Sequence, residues 1–451
     1  MRIPACLRAA IAGALLFTAL PAGAQEGRSI ALVRDAETET VLTGFLKPIY
    51  DAAGIDSAAA KLYLVKEDSI NAFVANGQNI FVHTGLLSRS DNPDQLLGVL
   101  AHETGHIAGG HLTRGQSAMA GSTTTAIVTS ILGAAALIMG AGDAGMAIIS
   151  GGQNIAMRDM LQYSRTQESS ADQAGMTYLD AIGRSGRGML EFFRKLEYQE
   201  MLLAGRQDPY FRTHPMNRDR INALSDRVER SPYRDLPPDP VQTRQLNLIK
   251  AKIYGFFTPP AQVLNNYAPT DTTEQARYAR AIALYRLPDL DKAVPAIDAL
   301  IAEFPDNPWY LELKGQMLVE NGRFAEAVAP YRAAVSLSGG HPLLRVGLGQ
   351  SLLGLPKGEG RAEATRELEI ATQADDSHGM GWYLLAQAYG QEGRIGEAAL
   401  ATAERYLRMG KLRDAQGQAH NAIDKLPAGS PGALRANDII SAAARLRREN
   451  E

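Results

Sequence analysis

"LLGVLAHETGHIAGGHLTRG", Leu96 to Gly115, holds three of the chain's eight histidines. His102 and His106 stand four residues apart with Glu103 behind the first, in the pattern H-E-x-x-H. Residues four apart share one face of an α-helix, so two imidazoles can reach one ion. Glu103 sits one residue off that line. It is not placed to ligate, but it can reach a water on the ion and serve as general base. His111 comes five residues after His106 and falls off the shared face, so it reads as a structural or supporting histidine rather than a ligand. The helix has a marked entry: Asn92 can cap it, Pro93 suits its first turn and Gln95 takes the third position. Leu96, Leu97 and Leu100 supply one buried stripe, and Gly109-Gly110 loosen the end.

A catalytic zinc takes three protein ligands and keeps one position open. "YSRTQESSADQAG", Tyr163 to Gly175, offers Glu168 and Asp172 four apart on one helical face. Glu168 is the expected third ligand. Asp172, one turn on, would accept a proton from a ligand imidazole. Spacing alone serves equally well for two solvated carboxylates.

The rest of the chain frames this site. "MRIPACLRAAIAGALLFTALPAGAQEG" starts positively with Arg2 and Arg8, runs apolar from Ala9 to about Leu20, and ends in Ala22-Gly23-Ala24. That is an export leader over 1–24, cut before Gln25. The single cysteine, Cys6, lies within it, so the mature chain has no thiol, which suits the periplasm. Lys and Arg number 46 against 49 Asp and Glu, a balance with no basic footprint for nucleic acid. Leu62, Leu64, Ala72, Val74, Ile80 and Val82 alternate around Asn76-Gly77, which predicts a small antiparallel sheet with a hairpin. From Gly115 to Gly142 no charge appears. Its strongly apolar centre falls short of the roughly 20 residues of a membrane span. The two readings of this run are a buried or interface-facing helix, and a lipid- or substrate-facing lid over a site, with peripheral membrane contact near 115–150. Long helices follow over 156–183 and 186–203, and another begins after the loop around His214-Pro215.

"SPYRDLPPDP", 231–240, is a proline-rich break and the expected domain boundary. Beyond it the pattern is helical and repeats. Gly315, Leu318, Gly322, Phe324, Ala327 and Tyr331 are echoed by Trp382, Leu385, Ala386, Tyr389, Gly393 and Ala398. Ala293 to Ala327 and Ala364 to Ala398 are each 34 residues, the tetratricopeptide period, and the 37-residue step between them holds "GLPKGEG" as an insertion. Four units are clear. The expected division is thus 25–235 for a metallopeptidase domain and 236–451 for a repeat domain.

H-E-x-x-H, then E-x-x-A-D inside "SRTQESSADQAG", then "THPMNRDRI", resembles the HtpX-like zinc metalloproteases. With a leader in front and repeats behind, the mature chain resembles the BepA-type periplasmic metalloprotease-chaperones, which act on outer-membrane protein assembly. The resemblance implies a mainly α chain: an α+β zincin-type metalloprotease domain with a small β-sheet, then an all-α tetratricopeptide solenoid. It implies one Zn2+ per chain held by His102, His106 and Glu168, with Glu103 as catalytic base. It brings in His214, which in that family approaches the zinc from a loop and can keep the enzyme latent. It also brings in Arg220 as the arginine of H-P-x-x-x-x-R. It implies protein or peptide substrates, laid along an edge strand at Asn79–Val82, and outer-membrane assembly machinery as partner of the repeats. The competing reading is a latent or non-proteolytic periplasmic chaperone or scaffold that works through the repeats. Against a purely structural zinc stand the absence of cysteine in the mature chain and the presence of Glu103, which such a site would not use.

Overall fold

The computed structural model describes residues 31–57, 60–75, 78–111, 154–202, 214, 218–287, 289–377 and 379–450. The expected leader with its cleavage point, Asn76-Gly77, and the apolar run with its membrane contact near 115–150 lie outside these. The chain is mostly helical, with one small sheet near its start, and divides into two compact units, Gln25–Tyr254 and a second from Gly255 to Glu451.

The first unit opens with strand β1 (Leu32–Val33) and helix α1 (Ala36–Ala53), which Asp35 caps by accepting from the Thr38 N–H at 2.8 Å. Strands β2 (Leu62–Val65), β3 (Ala72–Ala75) and β4 (Asn79–His83) follow, in the sheet order β1-β2-β4-β3. β3 and β4 form the expected antiparallel hairpin, with Ala75 opposite Asn79. Two expectations need correcting. The sheet is mixed, because β2 and β4 run parallel, with Leu62 opposite Ile80 and Leu64 opposite Val82. And β4 is not an edge: β2 takes one side and β3 the other. Alternation identifies a strand but not its neighbours. The cause lies in the packing: Phe81 stacks between Tyr63 at 5.0 Å and Phe73 at 5.1 Å, an aromatic row that only a central strand can complete. Among the described residues the edge beside it belongs to β3.

After the short helix α2 (Thr84–Arg89) comes α3 (Pro93–Ala108), which carries H-E-x-x-H. Asn92 caps it as expected, accepting from the Gln95 N–H at 3.0 Å, while Gln95 Oε1 accepts from the Asp91 N–H at 2.9 Å. α3 is buried on every side from Pro93 to Gly105, not along one stripe. It lies against α1, β3, α4 (Asn154–Ala181) and α5 (Arg187–Leu202). Its glycines make this central position tolerable. A Cβ at Gly105 would lie 2.7 Å from the Ala171 carbonyl oxygen, and one at Gly175 would lie 3.1 Å from the Ala101 backbone. The two helices therefore meet backbone to backbone, which sets Glu168 and Asp172 of α4 against His102 and His106 of α3. Helix α6 (Arg218–Arg230) packs on α4 and α5, and α7 (Pro240–Phe257) follows the proline-rich break.

In the second unit, after the short α8 (Pro260–Asn266), the described helices pair as α9 (Glu274–Arg286) with α10 (Leu290–Glu303), α11 (Pro308–Glu320) with α12 (Phe324–Leu337), and α13 (Pro342–Leu353) with α14 (Arg361–Ala374). α15 (Gly379–Gln391) then pairs with α16 (Ile395–Arg408), and α17 (Leu412–Ile423) with α18 (Pro431–Asn450). The repeat signature has a direct packing basis. The Tyr331 ring fills the space above both Gly315 and Gly347, where a Cβ would come within 2.6 and 2.3 Å of it. Turns recur in one form: Gly322 and Gly393 take φ of 74° and 75°, and the next residue's N–H reaches back to Leu318 and Tyr389 at 2.8 and 2.9 Å.

Candidate active site

Four ligand-type atoms converge from three places in the sequence. His102 and His106 of α3 present their Nε2 atoms 3.1 Å apart. Glu168 of α4 stands 3.4 Å from His102 Nε2 and 3.2 Å from His106 Nε2. His214 completes the group with Nδ1 3.3 Å from His102 Nε2 and 3.2 Å from Glu168 Oε2. All four offered atoms lie within 4.8 Å of one another. Glu103 flanks them. His214 turns its other nitrogen, Nε2, toward Glu103 Oε1 at 3.4 Å.

Behind these four residues is a layer of supporting contacts. His102 Nδ1 is 2.9 Å from Asp172 Oδ1, the partnership expected of Asp172. Arg220 donates from Nε and Nη2 to Asp172 at 2.6 and 2.8 Å, and its Nη1 lies 3.1 Å from Glu168 Oε2. The guanidinium therefore bridges the carboxylates of Glu168 and Asp172. Phe193 of α5 packs edge-on to His102, with Arg220 over its ring at 5.6 Å. His83, the last residue of β4, meets Ser69 Oγ through Nδ1 at 3.0 Å.

The electrostatics follow from burial. Burial pushes the Glu103 carboxyl up, and His214 and His102 counter it only in part. For Glu168, burial is outweighed by His214, His102 and His106, which hold its carboxyl well below the usual range. Burial is likewise outweighed at Asp172 by Arg220 and His102, so that carboxyl is lowered. Burial would lower His102, but Asp172 and Glu168 reverse it and push it up to about 10. His106 is held down to about 3 by burial. Spacing gave no sign of Tyr50 of α1. Its buried hydroxyl has no hydrogen-bond partner among the described residues, and burial together with the Glu103 charge raises it above its ordinary value. Only the packing of α1 on α3 brings it there.

Residues 36–228 match Peptidase family M48, and 276–342 with 357–410 match the tetratricopeptide repeat. The beta-barrel assembly-enhancing protease of Yersinia pestis is 30% identical over 402 residues, covering 86% of this chain and 79% of that one. The chain belongs to peptidase family M48. A second beta-barrel assembly-enhancing protease, from Escherichia coli strain K12, is 28% identical over 82% of this chain and 75% of its own. Metalloprotease LoiP of the same strain is 29% identical over 37% of this chain and 62% of its own. This M48 chain is a metalloendopeptidase with tetratricopeptide repeats, and the family implies a divalent metal.

The residues present fit such an ion on three counts. Tetrahedral ligands at about 2.0–2.1 Å from zinc stand about 3.3–3.4 Å apart; the donor pairs given above are 3.1 to 3.4 Å apart, counting either Glu168 oxygen, and the whole set lies within 4.8 Å. Three buried carboxylates, Glu103, Glu168 and Asp172, face one buried guanidinium, Arg220, a deficit that a divalent cation balances. Neither Glu103 oxygen has a hydrogen-bond partner among the described residues, although the side chain is fully buried.

Proposed function

We propose that the chain is a zinc endopeptidase of the periplasm that acts on outer-membrane β-barrel proteins, cleaving misassembled ones and assisting assembly. In this reading the repeats engage substrate or the assembly machinery. The observation that carries it is the convergence of His102, His106, Glu168 and His214 beside an unbonded, buried Glu103. Three imidazoles and a carboxylate without thiolate suit zinc with hydrolytic chemistry. The names of the two assembly-enhancing relatives support the substrate class. The export leader read over 1–24 supports the compartment.

A bound zinc supplies an acidified water and polarises a scissile carbonyl. The protein does the rest. His102 presents Nε2 because Asp172 stands at its Nδ1 atom. Arg220 holds Glu168 in its ligand position. Glu103 takes a proton from water and passes it to the leaving amine, and its burial raises its basicity for that task. An extended peptide adds to the open edge of β3, which lies on α3.

One observation favours a latent resting state. His214 occupies the ligand group through Nδ1, so it stands where a water and substrate would enter. A latent enzyme that chaperones through its repeats is the second reading on that account.

The deciding experiment pairs wild type with Glu103→Gln. Casein cleavage should fall by about 10²–10⁴-fold while one zinc per chain remains by metal analysis. Undiminished cleavage would remove Glu103 from the reaction. Loss of zinc in the variant would make it a ligand instead.

A further inference from the structure

The two histidines of H-E-x-x-H are held from behind in different ways. His102 has a carboxylate at its Nδ1, Asp172 Oδ1 at 2.9 Å. His106 has an imidazole there, with His111 Nδ1 at 2.9 Å from His106 Nδ1 and the rings edge-on at 79°. A neutral imidazole carries one proton. His106 Nε2 faces His102 Nε2 and Glu168 at 3.1 and 3.2 Å, so it is the ligating atom. Its proton must then sit on Nδ1. The partner across 2.9 Å must accept it, which places the proton of His111 on its own Nε2.

Independent features show that this contact is built into the fold. His111 lies five residues after His106, out of reach on a continuing helix, but α3 stops at Ala108 and Gly110 takes a φ of 58°. The chain thereby folds the His111 ring back beneath the helix end. The ring occupies the space at Gly109, where a Cβ would lie 2.4 Å from His111 Nε2 and 2.7 Å from Cδ2. Gln167, next to the ligand Glu168, donates to the His111 carbonyl at 3.3 Å. His111 is thus tied both to the helix of the two histidines and to the helix of the carboxylate.

We propose that His111 is a positioning residue for the metal site: its Nδ1 accepts the His106 Nδ1 proton and so fixes the tautomer and aim of that ligand. This rests on the reading of His106 as a ligand.

The test measures zinc affinity of the full chain by chelator competition, with thermal melting of the metal-free protein alongside. His111→Ala should weaken zinc binding about 10–100-fold and leave the metal-free midpoint unchanged. His111→Asn should restore most of the affinity, because Oδ1 is as many bonds from Cα as Nδ1 and accepts in its place. Gly109→Ala should weaken binding like His111→Ala. Gly109 has a right-handed φ of −68°, so alanine fits its backbone and only the His111 ring is displaced. Wild-type affinity in His111→Ala overturns the proposal. So does a loss that His111→Asn fails to rescue and that tracks a fall in the metal-free midpoint. His106→Ala separates the two levels: if it too binds zinc normally, the ligand reading fails, and if it alone loses zinc, only the role of His111 does.

Discussion

Glu103 and His214 face each other across 3.4 Å, and in the proposed function they have opposite tasks. Glu103 is buried, unbonded and raised by burial, the condition of a base waiting for a proton. His214 has Nδ1 among the ligand atoms and Nε2 toward that base, so it stands between the base and the position water needs. Replacing it with alanine opens that position without touching the other three ligands. His214→Ala should raise the peptidase rate on a short unstructured peptide, with zinc stoichiometry unchanged. A fall in kcat at unchanged KM would make His214 a transition-state stabiliser instead. Arg220 belongs to neither task. Its guanidinium is occupied by Asp172 and Glu168, so in the proposed function it would act through them.

At the scale of elements, the site depends on how closely α3 and α4 approach. Gly105→Ala would place a methyl 2.7 Å from the Ala171 carbonyl and 2.9 Å from its Cα, both backbone atoms that cannot turn aside. The helices must separate, and Glu168 and Asp172 move with α4. The variant should lose about 1–3 kcal/mol of stability in denaturant unfolding and also bind zinc more weakly. Gly44 of α1 is the control: it is exposed and nothing lies within 4 Å of its Cβ position, so Gly44→Ala should stabilise by about 0.5–1 kcal/mol. This contact also marks the limit of what the sequence discloses. H-E-x-x-H is legible because ligand spacing and helix period coincide within one element. Asn92 and Gln95 are legible because capping is local. Glu168 comes from another helix, and two carboxylates four apart look the same whether solvated or ligating, so spacing offered it as a candidate and the resemblance strengthened the choice. The small residues that permit the approach, Gly105, Ala171 and Gly175, are unremarkable in the sequence. The central place of β4 and the phenol of Tyr50 beside Glu103 are products of packing, which alternation and spacing do not encode. His111 needed the turn at Gly110: on an ideal helix it points away from His106.

At the scale of the whole molecule, the proline-rich break does not end the involvement of later residues in the first unit, which extends to Tyr254. Lys252 of α7 reaches back to the start of the chain's first helix. Its Nζ lies 2.5 Å from Asp35 Oδ2 and 3.3 Å from Glu37 Oε2, and all three groups are largely buried. Burial alone would raise the Asp35 carboxyl, but Lys252 and the capping bonds of Thr38 outweigh it and lower it. Because the folded value lies below the unfolded 3.8, the bridge contributes its full stability above that pH and loses it as pH falls through the folded value. Lys252→Met removes the cation that the buried carboxylates of Asp35 and Glu37 share, a change of about 3–5 kcal/mol at neutral pH. It should also reverse the sign of the local pH dependence. Without Lys252, desolvation dominates at Asp35, its folded value rises above 3.8, and protonation relieves the buried charge. Wild type should therefore hold or lose stability as pH is lowered from 7 to 4. The stability difference between wild type and Lys252→Met should shrink over the same interval, in chemical denaturation of the metal-free chain. A difference that stays constant across that interval would mean that the methionine variant suffers from altered packing and that the ion pair does not couple α7 to the start of α1.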